Sequence, residues 1–228
     1  MTGQPPPLNK LLREGLGLAD LAASWARPAV KVAGAGQGQP VMVIPGMMSG
    51  DETVRYLRRS LAASGFAPHA SGIMFHAVAS AASVGRAERQ LERNHQDSGQ
   101  KVVLLGWSLG GLYARALAHR HPHLVSAVVT LGAPFSGDMR ANNAWKLYEA
   151  INRGPIEAVP FDDPIAQKPP VPTVAVWSTN DGIIAPAAAR GQPDESDRQV
   201  EVSARHLDLA SNRACVRRVI EVLAEVLD

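Results

Sequence analysis

Gly106-Trp107-Ser108-Leu109-Gly110-Gly111 lies between the apolar run Val102-Val103-Leu104-Leu105 and the helix-like segment Leu112 to Ala118. A turn from strand to helix this abrupt crowds the backbone, so the positions two before and two after its centre must lack a Cβ, and both are glycine. Ser108 is then expected strained and exposed at the carboxyl end of a strand. A serine hydroxyl is a weak nucleophile at neutral pH; it needs a base within hydrogen-bond reach, and the base needs an orienting carboxylate.

The chain has seven histidines to serve as base. Loops leaving the carboxyl ends of parallel strands share one edge of the sheet with Ser108, and this sorts them. His119, His121 and His123 are expected at the far end of the helix after the serine, His95 at the end of a return helix, and His69 ahead of a strand. Only His76, after a strand near Phe75, and His206, after a strand near Val202, emerge on the serine's side. His206 is the expected base and His76 a pocket-lining residue. For the carboxylate, Asp181 leaves the apolar strand Val174 to Trp177 on the same edge, with Asp138 after the preceding strand as the alternative. Asp208 is expected to cap the final helix.

The elements that must position these groups follow from periodicity. Apolar residues at Leu8, Leu11, Leu12, Leu18, Leu21 and Trp25 predict a helix lying on the body, followed by a glycine-rich linker to Pro40. Val41 to Ile44 predicts a buried strand, and Ser49 with Glu52 has the spacing of a capping box opening the next helix. A weaker strand near 70–75, a polar helix near 82–97, the strand before Ser108, and strands at 127–131, 174–177 and 199–202 complete an alternation that predicts a parallel sheet. Val216, Val219, Ile220, Leu223, Val226 and Leu227 predict an amphipathic final helix.

In this setting the G-x-S-x-G of residues 106–110 resembles the nucleophile elbow of the α/β-hydrolase family. The resemblance runs from about Val41 onward. It implies a three-layer α/β sandwich of about six mainly parallel strands with helices on both faces, residues 1–40 forming a helical arm and linker, and residues 41–228 the hydrolase domain. A short cap is implied at about 138–170, where Trp145, Leu147, Tyr148, Ile151, Val159 and Phe161 would form an apolar wall. The family's chain order of Ser, acid, His fits Ser108, Asp181 and His206. Its oxyanion donors fall on the Leu109 N–H and on the loop after the first strand, where Met47 is assigned and Met48 is the neighbouring alternative; many relatives have His-Gly where this chain has Pro45-Gly46. Met48, Trp107, His76 and Trp145 are the expected substrate-binding residues. Leu131-Gly132-Ala133-Pro134-Phe135 is similar to the strand-end turn of the small lipases and esterases. The implied activity is cleavage of carboxylic esters of uncharged short to medium acyl chains, on a small-molecule or lipid ester, with no metal or organic cofactor. The alternatives are an acyltransferase or thioesterase with the same triad, or a non-catalytic binding protein.

Composition narrows the classes further. The 228 residues are 46% hydrophobic with a formal charge of +2, the 23 basic residues being scattered among 21 acidic ones, so no footprint for nucleic acid is visible. One cysteine, Cys215, excludes an intramolecular disulfide and falls in a helical pattern that suits an inert buried thiol. Residues 1–7 carry no basic segment followed by an apolar core, and no run is long enough to span a bilayer, so a cytoplasmic protein is expected.

Overall fold

Four consecutive apolar strands set the architecture. In the computed structural model, which describes residues 4–138, 140–153, 155 and 160–227, β1 (Pro40–Ile44), β3 (Val102–Trp107), β4 (Val125–Leu131) and β5 (Thr173–Trp177) form the centre of a six-stranded sheet, with β2 (Ala67–Ala70) and β6 (Arg198–Glu201) at its edges. All five pairings are parallel, in the order β2-β1-β3-β4-β5-β6. Parallel strands covered on both faces must be apolar throughout, and successive side chains here go to opposite layers. Val41, Val43, Val103, Leu105, Val129 and Val176 pack with α2 (Arg55–Ala63) and α7 (Arg213–Leu227). Met42, Ile44, Val102, Leu104, Val128 and Ala175 pack against α3 (Ala81–Ser98) and α4 (Leu109–Arg120).

The chain runs from β1 outward to β2 and then crosses to β3 on the other side of β1. The loops at the carboxyl ends of β1 and β3 therefore diverge, and such a reversal opens a crevice at the sheet's edge. The register pairs Ile44 with Gly106, which sets the loop from Pro45 beside Ser108.

Several local expectations are corrected. Ser49 donates its hydroxyl back to the Gly46 carbonyl at 2.8 Å, and α2 begins only after Val54 with no side-chain cap, so the Ser49–Glu52 capping box does not form. The capping box of this region is instead Ser80 with Ser83, at the start of α3. β2 occupies 67–70, earlier than the expected 70–75, and includes His69. The final helix is capped by Asn212, whose side-chain oxygen accepts from the Ala214 and Cys215 N–H groups. Asp208 pairs with Arg205 at 2.7 Å.

The first helix, α1 (Leu8–Ser24), lies on the body with most of its leucines turned outward, Leu11 and Leu21 being half-buried. Leu8, Leu12, Leu16, Leu18 and Trp25 are exposed, whereas Glu14, Gly17 and Ser24 are buried. Within the expected cap, α5 (Trp145–Asn152) forms, but Tyr148 and Phe161 are buried in the core, Phe161 against the Tyr113 ring at 5.0 Å. Leu147 is exposed and Trp145 half-buried, so the apolar wall is thinner than expected. Val159 lies outside the described residues.

Candidate active site

Ser108 sits between β3 and α4 with φ 53 and ψ −122, a conformation L-residues avoid and one that the surroundings must impose. The imposing contacts are backbone to backbone. A Cβ on Gly106 would lie 2.3 Å from the Gly110 carbonyl oxygen, and one on Gly110 would lie 2.3 Å from that of Ile44. The helix start is thereby pressed onto β1, and the Ser108 N–H is tied to the Leu131 carbonyl at 2.8 Å.

His206 opens a short 3₁₀ turn (His206–Asp208) after β6 and is buried. Its Nε2 is 2.9 Å from Ser108 Oγ and its Nδ1 2.7 Å from Asp181 Oδ2. A carboxylate can only accept, so Nδ1 carries the hydrogen and Nε2 is left with a lone pair toward the serine hydroxyl. Asp181, buried in the loop after β5, accepts on its other oxygen from the Ile183 and Ile184 N–H groups at 2.8 and 2.7 Å. Asp138, by contrast, is exposed and accepts from the Arg140 N–H in its own loop. Gly132 explains the tight turn after β4: its φ is +57, and a Cβ there would lie 2.5 Å from Leu209 Cδ1 and within 3.3 Å of the Asp181 and His206 side chains.

Burial alone would lower the His206 pKa. The charge and hydrogen bond of Asp181, aided by the charge of Glu14, outweigh it and hold the value above the ordinary 6.5. His76 is the opposite case: burial drives its pKa down to about 4, only partly offset by its bond to the Pro45 carbonyl, and Arg86 lowers it further. Its Nδ1 meets that carbonyl at 3.2 Å and its ring meets Tyr113 edge-on at 4.7 Å. His76 thus sits beneath the loop beside Ser108 and braces it. The two loops are laced together, the Met48 N–H donating to the His76 carbonyl and the His76 N–H to that of Ser49, both at 2.6 Å.

That lacing occupies the Met48 N–H, and the loop lies close to the serine: a Cβ on Gly46 would be 3.2 Å from Ser108 Cβ. Met48 itself has φ 56 and an exposed side chain. Trp107, expected among substrate-binding residues, is a core residue whose indole N–H donates to the His206 carbonyl at 3.1 Å, so it supports His206 from behind. Trp145 packs on the core's edge, where Arg140 and Lys146 approach its ring at 5.6 and 5.4 Å. Cys215 is buried with its thiol pKa pushed up to about 12, which makes it inert. Among the described residues no group of three His, Cys, Asp or Glu side chains is placed to hold a metal ion, and no helix is long and apolar enough to cross a membrane.

One residue of this neighbourhood gave no sign in the sequence. Glu14 of α1 is 3% exposed, and its carboxylate accepts from the Gly182 N–H at 2.8 Å, the His206 N–H at 2.9 Å and the Leu207 N–H at 3.0 Å. It shares one stripe of α1 with Gly17, Leu21 and Ser24, and a lone carboxylate at such spacing reads the same whether it is a buried anchor or a solvated charge.

A family model described as the alpha/beta hydrolase fold matches residues 80–162, a segment that includes Ser108 and its glycines. No curated protein matches the chain in sequence. Among solved structures, the chain is similar to a monoacylglycerol lipase of Paleococcus ferrophilus, with 17% identity and a TM-score of 0.60 over 83% of this chain and 96% of the lipase. A lipase-esterase related protein of Clostridium acetobutylicum superposes with a TM-score of 0.62 at 11% identity, over 86% of this chain and 97% of its own. A thioesterase domain from the curacin biosynthetic pathway superposes with a TM-score of 0.55 at 15% identity, over 82% and 91%. With its six parallel strands, the strained serine between β3 and α4 and the matched segment around it, the chain has the α/β-hydrolase fold.

Proposed function

We propose that this chain hydrolyses carboxylic esters of uncharged short to medium acyl chains through an acyl-serine intermediate. The observation that carries the reading is the unbroken relay from Ser108 Oγ through His206 to Asp181, at 2.9 and 2.7 Å. Ser108 Oγ attacks the ester carbonyl carbon while His206 Nε2 takes the hydroxyl proton. The negative charge passes to the carbonyl oxygen, which the Met47 and Leu109 N–H groups receive, the second at the start of α4. Collapse of this intermediate breaks the bond to the alcohol oxygen, and the imidazolium returns its proton to that leaving group. Water then repeats the sequence on the acyl-serine, releasing the carboxylic acid and restoring Ser108. Asp181 fixes the tautomer and stabilises the imidazolium throughout. The chemistry calls for no cofactor.

The substrate class rests on the loops beside the serine. Met48, Met74 and Phe75, on the two laced loops, are exposed apolar side chains, and Leu147 of α5 is exposed as well. Each methylene they cover is worth about 0.8 kcal/mol, so kcat/KM should rise roughly fourfold per carbon until the surface is filled. Chromogenic esters of graded acyl length test this. Ser108→Ala should fold normally yet lose turnover on the order of a millionfold, together with labelling by a fluorophosphonate. Retained turnover in that variant, or rates indifferent to acyl length, would contradict the reading. A second reading, cleavage of thioesters or transfer to another acceptor, draws on the likeness to the curacin thioesterase domain. Partition of the acyl group between water and an added alcohol, and relative rates on matched oxygen and thioesters, separate the two.

A further inference from the structure

The buried carboxylate of Glu14 joins three segments far apart in the chain. Two of its donors, Gly182 and His206, belong to the loops after β5 and β6 that carry the acid and the base, and both bond to the same oxygen, while Leu207 bonds to the other. The helix bearing it lies close against both loops. A Cβ on Gly182 would fall 2.5 Å from the Lys10 carbonyl oxygen, and one on Gly17 would fall 3.1 Å from Leu207 Cβ. Asn143 adds a tie from the α5 side, donating to the carbonyls of Pro6 and Gly182 at 2.9 and 2.8 Å. Three amide donors converging on one carboxylate form charge-assisted bonds that a neutral side chain of the same size cannot all replace, because an amide nitrogen would face a third N–H.

Resting on the hydrolytic reading above for its catalytic consequence, we propose that Glu14 is a positioning residue, clamping the Asp181 and His206 loops so that the relay to Ser108 stays in register. Its fixed negative charge has a second effect, favouring the imidazolium form of His206 beside that of Asp181. The other charged groups around this turn are Arg205, which pairs with Asp20 of α1 and with Asp208, and those two carboxylates themselves.

The test is Glu14→Gln in the full chain, which keeps the size and one acceptor oxygen and removes the charge. Two readouts are followed: the rate at which a fluorophosphonate labels Ser108 across pH, and the titration of the His206 ring by proton NMR, which needs no turnover. Labelling at pH 7 should fall on the order of ten- to a hundredfold, as for a misplaced reacting pair. The His206 midpoint should move down, and Glu14→Asp, shorter but charged, should recover part of the midpoint. Leu12→Gln on the exposed face of the same helix should change neither. Should Glu14→Gln fail to fold, Gly17→Val pushes the helix off Leu207 with the charge retained and should slow labelling likewise. A folded Glu14→Gln with wild-type labelling and an unmoved midpoint overturns the proposal, as does a labelling loss that only tracks a fall in Tm. Wild-type Ser108 that resists the probe counts against the hydrolytic reading instead, and the His206 midpoint then decides the role of Glu14 alone.

Discussion

Asp181 holds its own loop with one oxygen and His206 with the other, so its replacement by asparagine has a defined consequence. The Ile183 and Ile184 N–H groups would keep the carbonyl oxygen, turning the amide nitrogen toward Nδ1. Nδ1 must then accept from the amide, the ring hydrogen moves to Nε2, and the serine proton has nowhere to go. Asp181→Asn should therefore lower kcat on the order of ten-thousandfold with little change in Tm, whereas Asp138→Asn should cost little. In the wild type, kcat/KM should rise with pH through a midpoint above 6.5, because a raised His206 pKa keeps the base protonated longer. The two buried histidines also divide the pH dependence of stability. His206 contributes stability that is complete below the unfolded value of 6.5 and is lost as pH rises through its higher folded value. His76, lowered to about 4, stays neutral in the fold while the unfolded chain takes up a proton, so stability falls as pH drops from 6.5 to 4, by on the order of 3 kcal/mol. Urea denaturation across that window should show the slope, and His76→Gln should flatten it. The meeting of His206 with Asp181 could be read from which edge of the sheet each loop leaves, and from the chain order that the family resemblance implies. The burial of His76 could not, since its place beneath the Pro45 loop depends on Tyr113, far along the chain.

Between β3 and α4 the glycines matter more than any side chain. Gly110→Ala would put a methyl carbon against the Ile44 carbonyl, and since both groups are backbone, either β1 or the start of α4 must move. The expected loss is on the order of 4 kcal/mol, read as a fall in Tm, with Ser108 labelling slowed further than the fraction unfolded accounts for. This turn was legible because its constraint is local: strand, two glycines and helix lie within about eighteen residues. The start of α2 was misread for the converse reason. A Ser-x-x-Glu spacing fits a capping box, but Ser49 finds the Gly46 carbonyl first, and the loop is held by His76 from another segment. Phe161 and Tyr148 were misassigned to an open wall because aromatic residues in a proline-rich stretch look alike whether they face a pocket or, as here, Tyr113 and its neighbours.

For the whole molecule, the sheet was legible because strands buried on both faces are apolar without interruption, a pattern that β1, β3, β4 and β5 all show. That α1 lies on the body was expected too, but not which face docks: Leu8, Leu12, Leu16 and Leu18 are exposed, whereas Glu14, Gly17 and Ser24 are buried and Leu11 and Leu21 half-buried. Helix and target are also remote: the bonds of Glu14 to Gly182, His206 and Leu207 span 168, 192 and 193 residues. Contacts of such separation are costly to close before the intervening chain has packed. On refolding from urea, far-UV circular dichroism should thus recover ahead of Ser108 reactivity toward a fluorophosphonate, and Glu14→Gln should widen the gap. During synthesis the order is starker. Helix α1 leaves the ribosome ahead of every strand, yet the amides that its carboxylate receives are made only after residue 181. Helix α1 is thus obliged to wait for the loop after β6, and a nascent chain stopped short of residue 206 carries Ser108 without the ring that meets its hydroxyl.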